Sequence, residues 1–187
     1  MARPDRHATH ANEVRIVGGN FRSRRLRFHG AQGLRPTPDR VRETLFNWLG
    51  QDLTGMSCLD AFAGSGALGF EAASRNARRV VMLEADRITV AYLKNTRDLL
   101  DAGQVEIVRA EALQWMQHCQ ERFDLILLDP PFSSGLMEQA LPMAREMLGP
   151  EAWLYVEQAA PIEAPEGFII HREGKAGMSH FALLKRT

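Results

Sequence analysis

The sequence predicts an α/β protein: one doubly wound sheet of seven strands with an antiparallel last strand, preceded by an N-terminal β-hairpin extension. Three observations carry this. From Ser57 onward, short strand patterns alternate with helical ones. The run Leu125-Ile126-Leu127-Leu128 is apolar on both faces, as a central parallel strand covered by helices on both sides must be. The last two strand patterns are joined only by Gly174-Lys175-Ala176-Gly177, too short for a crossover, so those strands are antiparallel.

Taken in order, residues 1–13 lack apolar periodicity and read as a disordered tail. Residues 14–35 form the extension, with two extended pieces of VRIVGGNFRSRRLRF placed around Gly18-Gly19-Asn20. Residues 36–187 form the main domain. Pro36 and Pro38 end the extended run, Thr37 or Asp39 is a candidate cap, and Val41, Leu45, Trp48 and Leu49 make an apolar helical stripe. Strands are expected at 57–62, 79–84, 105–109, 123–128, 152–157, 168–173 and 179–185. Helices are expected near 67–76, 87–102, 111–119 and 135–148.

Composition narrows the function classes. Cys58 and Cys119 are the only cysteines, outside any CxxC or Cys/His cluster, so a disulfide framework or zinc site is not expected and both read as buried, inert thiols. No apolar run approaches a membrane span and no apolar stretch follows the basic N-terminus, which predicts a soluble cytoplasmic protein. The zero net charge hides an asymmetry. Residues 1–42 hold ten Arg against Asp5, Glu13 and Asp39, and the remainder is acidic by the same margin. Such a basic third, with Arg22, Arg24, Arg25 and Arg27 closely packed, fits a grip on a polyanion placed beside the core.

The first strand of the alternating region ends in LDAFAGSGALGFEA, and Gly64-Ser65-Gly66-Ala67-Leu68-Gly69 follows the G-x-G-x-x-G pattern between strand and helix. Glu84 ends the next strand, where a carboxylate meets ribose hydroxyls. Glu84 therefore indicates an adenosine nucleoside without choosing between NAD and S-adenosylmethionine. Asp60 chooses. A carboxylate four residues before Gly64 repels a pyrophosphate and attracts the ammonium of a methionine moiety. The chain also ends soon after the sheet, leaving no room for a dehydrogenase's substrate domain. S-adenosyl-L-methionine is the expected cofactor.

The fourth strand runs into Asp129-Pro130-Pro131-Phe132, at the same carboxyl edge. An exocyclic amine on a base is a poor nucleophile because its lone pair is delocalised. Hydrogen bonds from its two N–H groups to the Asp129 carboxylate and the Pro130 carbonyl would hold the nitrogen, with Phe132 stacked on the base. Consecutive prolines keep the loop stiff. No metal or covalent nucleophile is required, and the absence of a cysteine here excludes the covalent cytosine-C5 route.

RIVGGNFRSRRL, LRPTPDRVRETLFNWL, LDAFAGSGALGFEA and DPPF, in this order, resemble the bacterial RsmD family over residues 14–187. Its members are 16S rRNA guanine-N2 methyltransferases acting at guanine 966. The resemblance implies a Rossmann-like, seven-stranded methyltransferase fold and a substrate that is 16S rRNA in the assembled or assembling small ribosomal subunit. It also implies an N-terminal hairpin that touches rRNA, and the protein is expected to be a monomer. Asp60, Gly64 and Gly66, with Phe62 between them, match the cofactor loop, and Glu84 matches the ribose acid. Glu111 falls where Asp usually meets the adenine amino group, and equally reads as a helix-starting carboxylate. Arg35 and Thr37 read either as a loop closing over cofactor or base, or as a proline-rich start to a helix. The alternative activity is adenine-N6 methylation of DNA or RNA.

Overall fold

The structure is a computed structural model that describes residues 12–29 and 36–187. The elements run β1 Glu13–Arg15, β2 Arg25–Arg27, α1 Asp39–Trp48, β3 Ser57–Asp60, α2 Ala67–Ser74, β4 Arg79–Glu84 and α3 Arg87–Leu99. They continue β5 Val105–Arg109, α4 Ala112–His118, β6 Phe123–Leu128, α5 Leu136–Met147, β7 Leu148–Gln158, β8 Phe168–Ala176 and β9 Ser179–Arg186. The seven-stranded sheet has the order β5-β4-β3-β6-β7-β9-β8, with β9 antiparallel to both neighbours and the pairs from β5 to β7 parallel. Strand order reverses at β3, so the crevice of the fold opens outside the carboxyl ends of β3 and β6.

Side-chain alternation divides the core between the two faces of the sheet. Cys58, Leu125 and Leu127 pack with α1, α2 and α3, while Leu59, Ile126 and Leu128 pack with α4 and α5. Strand β6 is therefore apolar on both sides because both sides are covered. β7 begins four residues earlier than the apolar pattern places it. A bulge in the β6–β7 ladder brings buried Leu148 opposite Phe123, which ends α5 at Met147 and draws residues 148–151 into the strand.

The N-terminal extension corrects three expectations. β1 starts at Glu13, inside the segment expected to be tail, and pairs antiparallel with β2 through Val14 and Leu26. Val14, Ile16, Leu26 and Phe28 are buried in the same cluster as α1 and α2, so the hairpin is part of the core as well as beside it. Gly18-Gly19 is not a tight hairpin tip: the connection spans residues 16–24 and lies on the end of α2. Gly19 has φ +72°, and a Cβ there would stand 1.9 Å from the Ser74 carbonyl oxygen, so only glycine allows the approach. Ser74 receives the loop, its carbonyl and hydroxyl accepting from the N–H groups of Asn20 and Phe21 at 2.7 and 2.8 Å. The remaining tail residues, 1–11, lie outside the described residues.

Candidate active site

The glycine loop uses its glycines for different reasons. Gly64 and Gly66 have φ +49° and +81°, the left-handed turn that a side chain resists. Gly69 lies in α2 where a Cβ would press within 2.9 Å of Met82, so it permits α2 to pack on β4. Glu84, at the end of β4, accepts from the Gly64 N–H at 3.1 Å and from the Asp86 N–H at 2.8 Å. Its carboxylate retains lone pairs for hydroxyl donors.

Asp60 ends β3 and is buried, with Oδ2 accepting from the Gly69 N–H at 3.0 Å. That N–H belongs to the first turn of α2, where a dinucleotide's pyrophosphate would bind; the carboxylate already fills the anion site. Its Oδ1 is buried with no partner among the described residues. Burial pushes the Asp60 carboxyl up to about 7, the Gly69 and Phe62 N–H groups opposing and the Glu84 charge assisting. An orphaned buried carboxyl oxygen suits an ammonium group, which fits the methionine end of S-adenosylmethionine. Phe62 is half-buried on this loop. Glu111 is exposed two residues beyond β5 and occupies the cap position of α4, where a carboxylate is favoured by the helix dipole, although its side chain makes no capping hydrogen bond.

Beside Asp60, β6 ends at Leu128 and runs into Asp129, which is partly buried. Its Oδ2 accepts from the Thr37 hydroxyl at 3.1 Å. Burial raises the Asp129 carboxyl well above the usual range, the Glu157 and Asp60 charges adding to the effect and Thr37 opposing it. The Pro131 carbonyl is occupied by the Ser134 N–H and hydroxyl, whereas the Pro130 carbonyl accepts nothing from the described residues. Phe132 is half exposed at 50%. The loop thus offers a carboxylate oxygen, a carbonyl and an aromatic face.

Thr37 is not the cap of α1, and neither is Asp39. Pro38 occupies the cap position, Thr37 turns to Asp129, and Asp39 binds Arg15 and Arg42. Arg35 lies outside the described residues. The clustered arginines Arg22, Arg24, Arg25 and Arg27 are exposed: the Arg24 side chain donates to the Leu99 carbonyl, Arg25 and Arg27 share Glu13, and the Arg22 side chain makes no hydrogen bond among the described residues. Cys58 is buried, its thiol pushed by burial to about 12, but Cys119 is only half-buried, at the more open edge of the helical layer.

Sequence reasoning missed two buried groups. Glu157, at the end of β7, accepts from the hydroxyls of Tyr155 at 2.9 Å and Ser179, and meets Thr37 at 3.4 Å. A carboxylate closing a third central strand at the crevice was the available signal. The other is Arg42–Glu71–Arg75. Glu71 is fully buried, accepts from both arginines at 3.0 Å, and also accepts from the N–H groups of Val17 and Gly18 at 3.0 and 2.8 Å. Arg42 Nε in turn donates to the Thr37 carbonyl at 3.1 Å. A lone Glu in the otherwise apolar ALGFEAA run was the signal there. A groove of about 370 Å³ between Met116, Cys119, Arg122 and Met143 lies at the opposite, amino end of β6.

Residues 14–185 match a family described as conserved hypothetical protein 95. The chain is similar to ribosomal RNA small subunit methyltransferase D of Haemophilus influenzae, 41% identical over 91% of this chain and 93% of the relative. It is 38% identical to the protein of that name from Escherichia coli K12, over 94% and 91% of the two chains. The solved structure of yhhF from Escherichia coli superposes with a TM-score of 0.84 and 39% identity, covering 93% of this chain and 98% of that one.

Proposed function

The chain belongs to the RsmD family, described as conserved hypothetical protein 95, and on that premise we propose that it methylates the N2 amino group of guanine 966 in 16S rRNA. S-adenosyl-L-methionine is the donor and the small ribosomal subunit the substrate. The observation that carries the reading is Asp129 at the end of β6, with one carboxyl oxygen engaged by Thr37 and the neighbouring Pro130 carbonyl unengaged.

Asp60 would hold the ammonium of the methionine moiety, Glu84 the ribose hydroxyls, and Glu111 the adenine amino group. The turn at Gly64 and Gly66 admits the nucleoside, with Phe62 against it. When bound, S-adenosylmethionine supplies an electrophilic methyl group. The protein's own part is positioning. Asp129 and the Pro130 carbonyl accept the two N–H groups of the guanine amine, Pro131 keeps the loop stiff, and Phe132 fixes the plane of the base. Fixed acceptors aimed at that nitrogen stabilise the positive charge it gains during transfer.

Arg22, Arg24, Arg25 and Arg27, with Arg35 as the last residue of the extension, contact the rRNA backbone, and Thr37 holds the acceptor carboxylate. No helix among the described residues is long and apolar enough to cross a membrane. We read the protein as a cytoplasmic monomer acting on the assembled or assembling subunit. Incubating unmethylated small subunits with labelled S-adenosylmethionine and digesting the RNA to nucleosides tests this. N2-methylguanosine is expected; N6-methyladenosine, or no labelled nucleoside, would refute it.

A further inference from the structure

Thr37 makes two contacts with one hydroxyl: its Oγ1 lies 3.1 Å from Asp129 Oδ2 and 3.4 Å from Glu157 Oε2. A hydroxyl has one proton to donate. With both carboxyls ionised, one contact would set lone pair against lone pair in a site largely closed to water, where an unmatched polar contact is costly. Both contacts become hydrogen bonds once either carboxyl carries a proton. Glu157 is buried at 4% exposure, and Thr37 is equally buried.

We propose that Asp129, Thr37 and Glu157 hold one proton in common, and that Glu157 is the positioning residue that takes it when Asp129 receives an amino group. The proposal rests on the reading of Asp129 as the amine acceptor. In the resting arrangement Asp129 Oδ2–H donates to Thr37, and Thr37 donates to Glu157. In the receiving arrangement Glu157 Oε2–H donates to Thr37, and Thr37 donates to Asp129. Passing between them breaks the O–H bond at Asp129 and forms one at Thr37. The original Thr37 O–H bond breaks and one forms at Glu157. Negative charge moves from Glu157 to Asp129, and no proton is exchanged with solvent.

The surroundings support both arrangements. Tyr155 donates to Glu157 Oε2 and Ser179 donates to Oε1, bonds that persist whether or not Oε2 is protonated. The groups that face Asp129 are Asp60 from β3 and Glu157 and Tyr155 from β7, two of them acids, and none is a cation among the described residues. Thr37 is held from behind by the Arg42 bond to its carbonyl. An amine needs an ionised acceptor at Asp129. Moving the proton to Glu157 provides one without placing two negative charges side by side.

Infrared difference spectroscopy of the RNA-free protein near neutral pH reads the shared proton directly, as the carbonyl stretch of a protonated carboxyl group. Wild-type protein is expected to show a component that both Glu157→Gln and Asp129→Asn abolish. A second component, from Asp60, disappears only in Asp60→Asn. Persistence of the shared component in Glu157→Gln would make Asp129 neutral by itself, and persistence in Asp129→Asn would make Glu157 so; either overturns the proposal. So does a wild-type spectrum with no component beyond that of Asp60, a result independent of how the variants fold. No RNA is present, so failure here leaves the guanine-N2 reading standing, and failure of the nucleoside assay leaves this result standing.

Discussion

Two buried polar clusters lie on either side of Thr37, and they are built on opposite terms. Around Glu71, every charge has a counterpart: two arginine side chains and two loop N–H groups converge on one carboxylate, and Asp39 supplies Arg42 with a second. At the ends of β3, β6 and β7, three acids, Asp60, Asp129 and Glu157, meet hydroxyls and N–H groups but no cation among the described residues. The first cluster is closed and ties the N-terminal loop and α1 to α2. The second is open, and its unmatched charge fits the proposed ligands, an ammonium at Asp60 and an amine at Asp129. Arg42 belongs to the first and fixes the Thr37 backbone that serves the second. The comparison separates charge used for architecture from charge reserved for a ligand.

The largest effect expected is on the closed cluster. Glu71→Ala leaves the buried Arg75 with no anion and Arg42 with only the half-exposed Asp39, a loss of about 3–5 kcal/mol in unfolding free energy. Denaturant unfolding checks this; an unchanged midpoint would mean the cluster is not structural. The same class of change in the open cluster should act differently. Asp129→Ala is expected to lower kcat by about 10²–10³-fold, the scale for losing one aligned hydrogen-bonding group. Its stability should hold or rise, because a buried acid is removed. Full activity in Asp129→Ala would break the distinction.

Asp60 gives a titration. Its folded carboxyl is raised to about 7 from an ordinary 3.8. A raised acid favours the folded state at low pH, and this advantage is lost as pH climbs from near 4 to about 7. Asp60→Asn should therefore be more stable than wild type at pH 8, with the gap closing toward pH 4. An ammonium ligand needs the ionised form. Calorimetric affinity for S-adenosylhomocysteine should then rise with pH below about 7, by at most about tenfold per pH unit. The rise should vanish in Asp60→Asn, and a pH-independent wild-type affinity would remove Asp60 from the cofactor site.

The smallest effect is at the surface. Replacing Arg22, Arg24, Arg25 and Arg27 with Ala should reduce the slope of log affinity against log salt by at most about 3. Arg22 and Arg24 should carry most of it, since Arg25 and Arg27 already share Glu13. An unchanged slope would separate the basic hairpin from RNA binding.

What was legible in the sequence follows from range. Period-two alternation and the glycine loop are local patterns, and each found its strand, helix or turn. The β8–β9 reversal is legible too, but it is tighter than the four residues expected, because Gly174, Lys175 and Ala176 pair with Phe181, His180 and Ser179 and leave only Gly177 and Met178 between the strands. Asp60, Glu84 and Asp129 stood out because strand ends in such a sheet converge on one crevice. Glu71 and Glu157 did not, because the partners that tie them to the site, Arg42 and Thr37, lie 29 and 120 residues away. The Gly18-Gly19 pair looked like a hairpin tip because a close approach to α2 and a tight turn demand the same residue. Leu148 was assigned to a helix because only the bulge opposite Phe123 makes it a strand residue.

The central claim is that Asp129 and the Pro130 carbonyl present a guanine amine for methylation. Small subunits reconstituted with 16S rRNA carrying inosine at the target position differ from the natural substrate by that amine alone. Guanosine-bearing subunits should take up labelled methyl groups and the inosine-bearing subunits none. Equal incorporation into both would contradict the assignment of the amine as acceptor.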